Sequence, residues 1–152
     1  DTTLAPAVNR LVTTRAFARV AAFAARRRGV VDSLLKSTGS ALPPERVAEY
    51  RATAGSSAHV RATLAMMAGW APRPLAARLP DVGIPVALAT GDRDEWTPAA
   101  QLAGVVARMP HASLTAVPGA GHLLHEERPA FAARFALDAA AAAGVLGGAR
   151  SA

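Results

Sequence analysis

The chain has 152 residues, of which 51% are hydrophobic and 18% charged. That is long enough for one domain with a sizeable core, and too apolar for intrinsic disorder. Cysteine is absent, which excludes disulfides, thiolate metal sites and a cysteine nucleophile within these residues. The net charge of +6 comes almost wholly from arginine. Its one run, Arg26-Arg27-Arg28, lacks interleaved aromatics and falls at a helix end, where cations suit the dipole. A solvated helix end accounts for it, so nucleic acid is not an expected partner. No apolar stretch reaches the length of a membrane span, no signal-peptide pattern is present, and the expected location is cytoplasmic.

Residues 4–28 predict a helix. Val12, Ala16, Val20 and Phe23 share a face flanked by Arg15, Arg19 and Arg26. This is the pattern of a surface helix turned to its own core, and a helix lying on a membrane is the rarer use of it. Gly29 stops it. Residues 30–35 predict a short helix, ended by Ser37-Thr38-Gly39-Ser40. Pro43-Pro44 opens the next, with Pro44 suited to a first turn and Val47 and Tyr50 facing inward. Gly55-Ser56-Ser57 breaks it, and Ser57 is placed to cap a helix running to about Trp70. Val60, Leu64 and Met67 recur there at helical spacing. Pro72, Pro74 and Pro80 mark a connector, with one helical turn suggested by Leu75 and Leu79.

The pattern then changes. Residues 84–90 read as a buried strand, broken at Gly91-Asp92-Arg93-Asp94-Glu95-Trp96-Thr97-Pro98. A helix over 99–109 carries Leu102, Val105, Val106 and Met109 on one face and is stopped by Pro110. A second strand, 113–117, ends in Pro118-Gly119-Ala120-Gly121-His122. A helix over 129–143 follows, with Phe131 and Phe135 one turn apart, and Gly144, Gly147 and Gly148 mark a frayed tail. Parallel strands joined by a helix deliver their C-terminal ends to one sheet edge, where ligands bind. Asp94 and His122 are therefore expected to meet across 28 positions.

Candidate chemistry concentrates there. Asp94 would accept a hydrogen bond from one ring nitrogen of His122 and steady the imidazolium. A helix cap or a local turn bond is the bland alternative for Asp94. Asp92 is a competing acid, expected to pair with Arg93 or solvent. Trp96 either walls the site or packs. His122 and His125 lack a third ligand, so no metal site and no cofactor are expected. Gly55-Ser56-Ser57-Ala58-His59 is not G-x-S-x-G, and no strand leads into it, so neither serine is a nucleophile on an elbow. Met66, Met67 and Trp70 could face a large flat ligand, although such spacing more often marks core.

The turns Gly91-Asp92-Arg93-Asp94 and Gly119-Ala120-Gly121-His122 resemble the acid and histidine turns of the α/β-hydrolase fold. That resemblance implies the chain order nucleophile, acid, histidine. Here the acid and the histidine are found and the nucleophile is not. It also implies that the helices before residue 84 form a cap inserted ahead of the acid-bearing strand. Leu34-Leu35-Lys36-Ser37-Thr38-Gly39-Ser40, Glu49-Tyr50 and His59-Val60 resemble the family's magnesium-chelatase accessory proteins of bacteriochlorophyll synthesis. So do Leu64-Ala65-Met66-Met67-Ala68-Gly69-Trp70 and His125-Glu126-Glu127.

The expected fold class is α/β: the C-terminal part of an α/β-hydrolase fold, its last two parallel strands with flanking helices, preceded by a helical cap. The expected layout is a cap region over 1–80, core over 81–145 and a disordered tail over 146–152. Asp1 is not an initiator methionine, and no strand pattern precedes residue 84. A two-stranded sheet cannot cover itself, so the chain reads as a fragment. The resemblance implies Asp94 and His122 as catalytic residues and Met66, Met67, Trp70 and Trp96 as substrate-binding ones. It implies a small-molecule substrate or porphyrin, and magnesium chelatase as a partner. The rivals are a generic esterase acting on small esters and a non-catalytic porphyrin- or chelatase-binding accessory protein.

Overall fold

A computed structural model describes residues 11–27, 29–70 and 72–145. The expected tail over 146–152 and the first part of the expected helix over 4–28 lie outside them. Two compact units divide the chain. One comprises residues 1–35 and 43–76, and the other residues 36–42 and 77–152.

The first unit is helical. Its main helices are α1 (Arg15–Ala25), α2 (Val30–Lys36, of which the last residue belongs to the other unit), α3 (Pro44–Ala54) and α4 (Ser57–Ala68). Thr14 caps α1 by accepting the Phe17 N–H, which contributes about 1 kcal/mol. Ser56, not Ser57, caps α4 by accepting the His59 N–H at 3.4 Å. The serine one position earlier is the residue with extended backbone, as a cap requires. Val47 and Tyr50 are half-buried on α3, as expected.

The face of α1 that is buried is not the one its large apolar residues suggest. Ala18 and Ala22 are buried, while Val20 and Phe23 are exposed. Alanines let two helix backbones approach closely, and α1 packs mainly on α4. Between α1 and the turn after α3, the Arg26 guanidinium donates to the Gly55 carbonyl at 3.1 Å. Asp32 on α2 receives the Arg51 guanidinium of α3 at 2.6 and 2.8 Å.

After α5 (Pro72–Ala77) and a 3-10 turn (Leu79–Asp81) comes the strand-bearing unit. It contains β1 (Val86–Gly91), α6 (Ala99–Val106), β2 (Ala112–Val117), α7 (Leu124–Glu127) and α8 (Pro129–Ala142). The two strands pair in parallel, from Val86 with Ala112 through to Gly91 with Val117. This matches the expected pairing, displaced by one or two residues at the ends. The register puts Gly91 and Val117 side by side, so the turns that follow them start from neighbouring points. On α8, Phe131 and Phe135 stack with centroids 5.7 Å apart.

Candidate functional site

The acid turn and the histidine turn are stitched together before the side chains of Asp94 and His122 are considered. The Asp92 N–H donates to the Val117 carbonyl, extending the strand pairing, and the Arg93 N–H donates to the Ala120 carbonyl at 2.9 Å. The Gly119 N–H donates to Asp92 Oδ1 at 2.8 Å, and the Arg93 guanidinium donates to the Gly119 carbonyl. Asp92 therefore does not pair with Arg93. Each takes a backbone group of the histidine turn, because a turn end leaves those groups without strand partners. A Cβ on Gly91 would overlap the Ala120 and Gly121 backbone, so only glycine lets the two turns lie this close.

On this frame Asp94 and His122 meet as expected. His122 Nδ1 lies 3.0 Å from Asp94 Oδ2 and 3.2 Å from Oδ1. The carboxylate is buried, whereas a third of the imidazole is open to solvent. The Thr97 and Trp96 N–H groups donate to Asp94 Oδ1 at 2.7 and 2.9 Å, and the Thr90 hydroxyl donates to Oδ2 at 3.3 Å. The local turn bonds offered as an alternative to the dyad are thus made together with it. Burial alone pushes the Asp94 carboxyl upward. The hydrogen bonds from Thr97, His122 and Trp96, with the nearby imidazolium charge, outweigh it and hold the pKa below the ordinary aspartate range.

The tautomer follows. An ionised carboxylate only accepts hydrogen bonds, so Nδ1 is the nitrogen that donates to Asp94, and whenever the ring is neutral its acceptor is Nε2. That is the state in which a histidine removes a proton from a nucleophile. Thr97 Oγ1 also reaches Nδ1, at 3.3 Å.

Trp96 borders the imidazole, with ring centroids 5.3 Å apart and planes tilted by 42°. Its indole N–H donates to Ser37 Oγ at 3.2 Å, and half of the side chain is exposed. Met66, Met67 and Trp70 lie in or just after α4 of the helical unit, and all three are largely exposed. Core packing, the bland reading of their spacing, does not describe them in this chain.

Sequence reasoning missed Thr97, Thr90 and the segment 37–41. Thr97 had a local signal: an aspartate three residues before a threonine at a helix entry invites a turn closed by the side chain. The segment had only its resemblance to the accessory proteins, which gives no sign of a contact with the histidine turn. The His122 N–H donates to the Thr38 carbonyl at 3.0 Å and the Leu123 N–H to Ser40 Oγ at 2.9 Å. These contacts span more than eighty residues.

A parallel strand pair with an acid turn and a histidine turn at one edge is how this fold is recognised, and the family model agrees. The chain belongs to the alpha/beta hydrolase family, whose model matches residues 2–135. It is similar to the magnesium-chelatase 30 kDa subunit of Rhodobacter capsulatus, at 38% identity over 103 residues. That match covers 68% of this chain and 35% of the relative, so the chain spans about a third of the curated protein. Among solved structures, MenH from S. aureus aligns with a TM-score of 0.62 at 18% identity, over 93% of this chain and 56% of that one. Est816, described as an N-acyl homoserine lactone degrading enzyme, aligns with a TM-score of 0.53 at 21% identity. Its alignment covers 77% of this chain and 50% of that one. At such identities the likeness concerns the fold. No helix among the described residues is long and apolar enough to cross a membrane.

Proposed function

We propose that this chain is the C-terminal, acid-and-histidine part of an α/β-hydrolase that serves the magnesium-insertion step of (bacterio)chlorophyll synthesis. In this reading the helical unit is the cap. The observation that carries it is the Asp94–His122 contact, His122 Nδ1 lying 3.0 Å from Oδ2 of a buried carboxylate. His122 acts as the general base, taking the proton of a nucleophile as that nucleophile attacks a carbonyl, then returning it to the leaving group. Asp94 fixes the tautomer and stabilises the imidazolium.

The 152 residues contain no G-x-S-x-G. The nucleophile and the donors for the developing oxyanion are assigned to the remainder of the protein, in keeping with the share of the curated relative that this chain covers. Support for the pathway comes from the similarity to the magnesium-chelatase 30 kDa subunit. The exposed Met66, Met67 and Trp70 favour a second reading, a non-catalytic protein that holds a porphyrin on polarizable apolar surface.

One experiment separates the two. Full-length protein, its His122→Ala and Asp94→Asn variants, and the 152-residue chain are assayed on an activated ester, and each is titrated with protoporphyrin while Trp fluorescence is followed. Hydrolysis predicts a fall of about 10⁴-fold or more in kcat for either variant. It also predicts that the 152-residue chain works no faster than its own His122→Ala form. Turnover indifferent to His122, with a saturable porphyrin response, would sink the hydrolase reading and establish the holder.

A further inference from the structure

We propose that Glu127 is a positioning residue for His122. Its carboxylate ties the histidine turn to the 38–41 segment, and this tie keeps the imidazole on Asp94. The proposal rests on the Asp94–His122 reading above and adds what holds the histidine in place.

Three consecutive backbone N–H groups, those of Gly121, His122 and Leu123, lie beyond the end of β2 and find no strand partner. Each is taken up by a residue outside the turn's own backbone. The Gly121 N–H donates to Glu127 Oε2 at 2.6 Å, the His122 N–H to the Thr38 carbonyl at 3.0 Å and the Leu123 N–H to Ser40 Oγ at 2.9 Å. Glu127 has a second role in this set, because its other oxygen, Oε1, accepts the Ala41 N–H at 2.8 Å. One carboxylate thus bridges two stretches of chain about eighty residues apart, with a charge-assisted bond to each. The other two acceptors are supplied by the 38–41 segment itself, so they hold His122 only while that segment stays against the turn. The Ser40 N–H to Thr38 Oγ1 bond at 3.2 Å shapes the segment but does not attach it.

The placement of Glu127 makes the bridge possible. It ends α7, one helical turn beyond Leu123, and its own N–H donates to the Leu123 carbonyl at 3.0 Å. Its side chain therefore turns back over Gly121, the residue before the histidine. Gly121 is buried, and its α-carbon faces the Gly39–Ser40 backbone so closely that no Cβ would fit. With that much contact a displaced segment must move the His122 backbone too. A shift of about 1 Å at a general base is worth about 10²-fold in rate. Glu127 touches neither Asp94 nor the imidazole, so it acts through the histidine and not on a substrate.

The test is the ring of His122 itself. The full-length protein is labelled with ¹⁵N-histidine, and the imidazole nitrogens are recorded at about pH 9, where unpaired imidazoles are neutral. In the parent chain His122 is expected as a single Nδ1–H tautomer with a low-field proton, and Asp94→Asn abolishes that signature. Glu127→Ala is expected to convert His122 to a tautomer mixture with loss of the low-field proton. It should also speed amide exchange at Gly121 and Ala41 by at least about tenfold. The signals of residues 44–68 should stay in place. Glu127→Gln keeps one acceptor oxygen and turns an NH₂ toward the other N–H, so it should fall between the two. It carries the measurement if the alanine variant fails to fold. Faster amide exchange with an unchanged His122 tautomer in both variants would make Glu127 a loop brace only and overturn the proposal. A parent chain without the Nδ1–H signature would overturn the Asp94–His122 reading first, and this one with it.

Discussion

The helical unit and the strand-bearing unit are built by different means. In the first, contact is made by small apolar faces: Ala18 and Ala22 of α1, Val31 and Leu35 of α2. Its polar cross-links among the described residues include the Arg51–Asp32 pair and the Arg26 bond to Gly55, both at the surface. In the second, Thr38, Thr90 and Asp94 are as buried as Ala120 and Leu124. There the turns are fixed by hydrogen bonds between backbone groups and side chains from distant parts of the sequence. Apolar contact is non-directional and tolerates sliding. A hydrogen-bonded turn is directional and can hold a side chain to about 0.5 Å, as a preorganised acid–histidine pair requires. The difference shows that the part of this chain holding the Asp94–His122 pair is the part organised by polar groups.

That contrast can be broken most forcefully at Gly121. A Cβ there would occupy the space of the Gly39 and Ser40 backbone, so Gly121→Ala should destabilise the strand-bearing unit by about 3 kcal/mol or more. Chemical denaturation followed by Trp fluorescence reads the loss. A variant as stable as the parent would mean that the 38–41 segment is not held against the histidine turn.

Acid sharpens it next. The Asp94 carboxyl is held below the ordinary aspartate value when folded, so the unfolded chain takes up protons more readily as pH falls. Its stabilising contribution is complete above about pH 4 and is lost as pH drops through the folded value. Stability measured against pH should therefore fall in the acid range, and Asp94→Asn should remove that part of the fall. An identical acid profile in parent and variant would show that Asp94 is not the stabilising group.

The smallest effect belongs to the helical unit. Arg51→Ala removes an ion pair that is partly exposed on both sides, and screening by water limits its worth to about 1 kcal/mol or less. A loss of several times that in the same denaturation assay would place the helical unit, too, among structures organised by polar groups.

The sequence by itself determined a good deal. Proline and glycine punctuation located most of the helices to within a few residues, although the helix expected over 4–28 is interrupted at Thr13–Thr14, where Thr14 caps α1; two short apolar runs around one helical segment gave the parallel strands. Asp94 and His122 were legible because each follows a strand, and topology then brings strand ends together. The misread face of α1 followed from expecting large apolar residues to be inside when Ala18 and Ala22 are what lets α4 approach. What only the tertiary structure decided is the support of the dyad. Thr38 and Ser40 each meet the histidine turn through a single hydrogen bond across more than eighty residues, and Ala41 meets it through Glu127. Such bonds leave no periodicity and need no special residue type, since a backbone carbonyl serves as well as a hydroxyl. Their partners are fixed by where the chain returns in space, and that is a property of the fold.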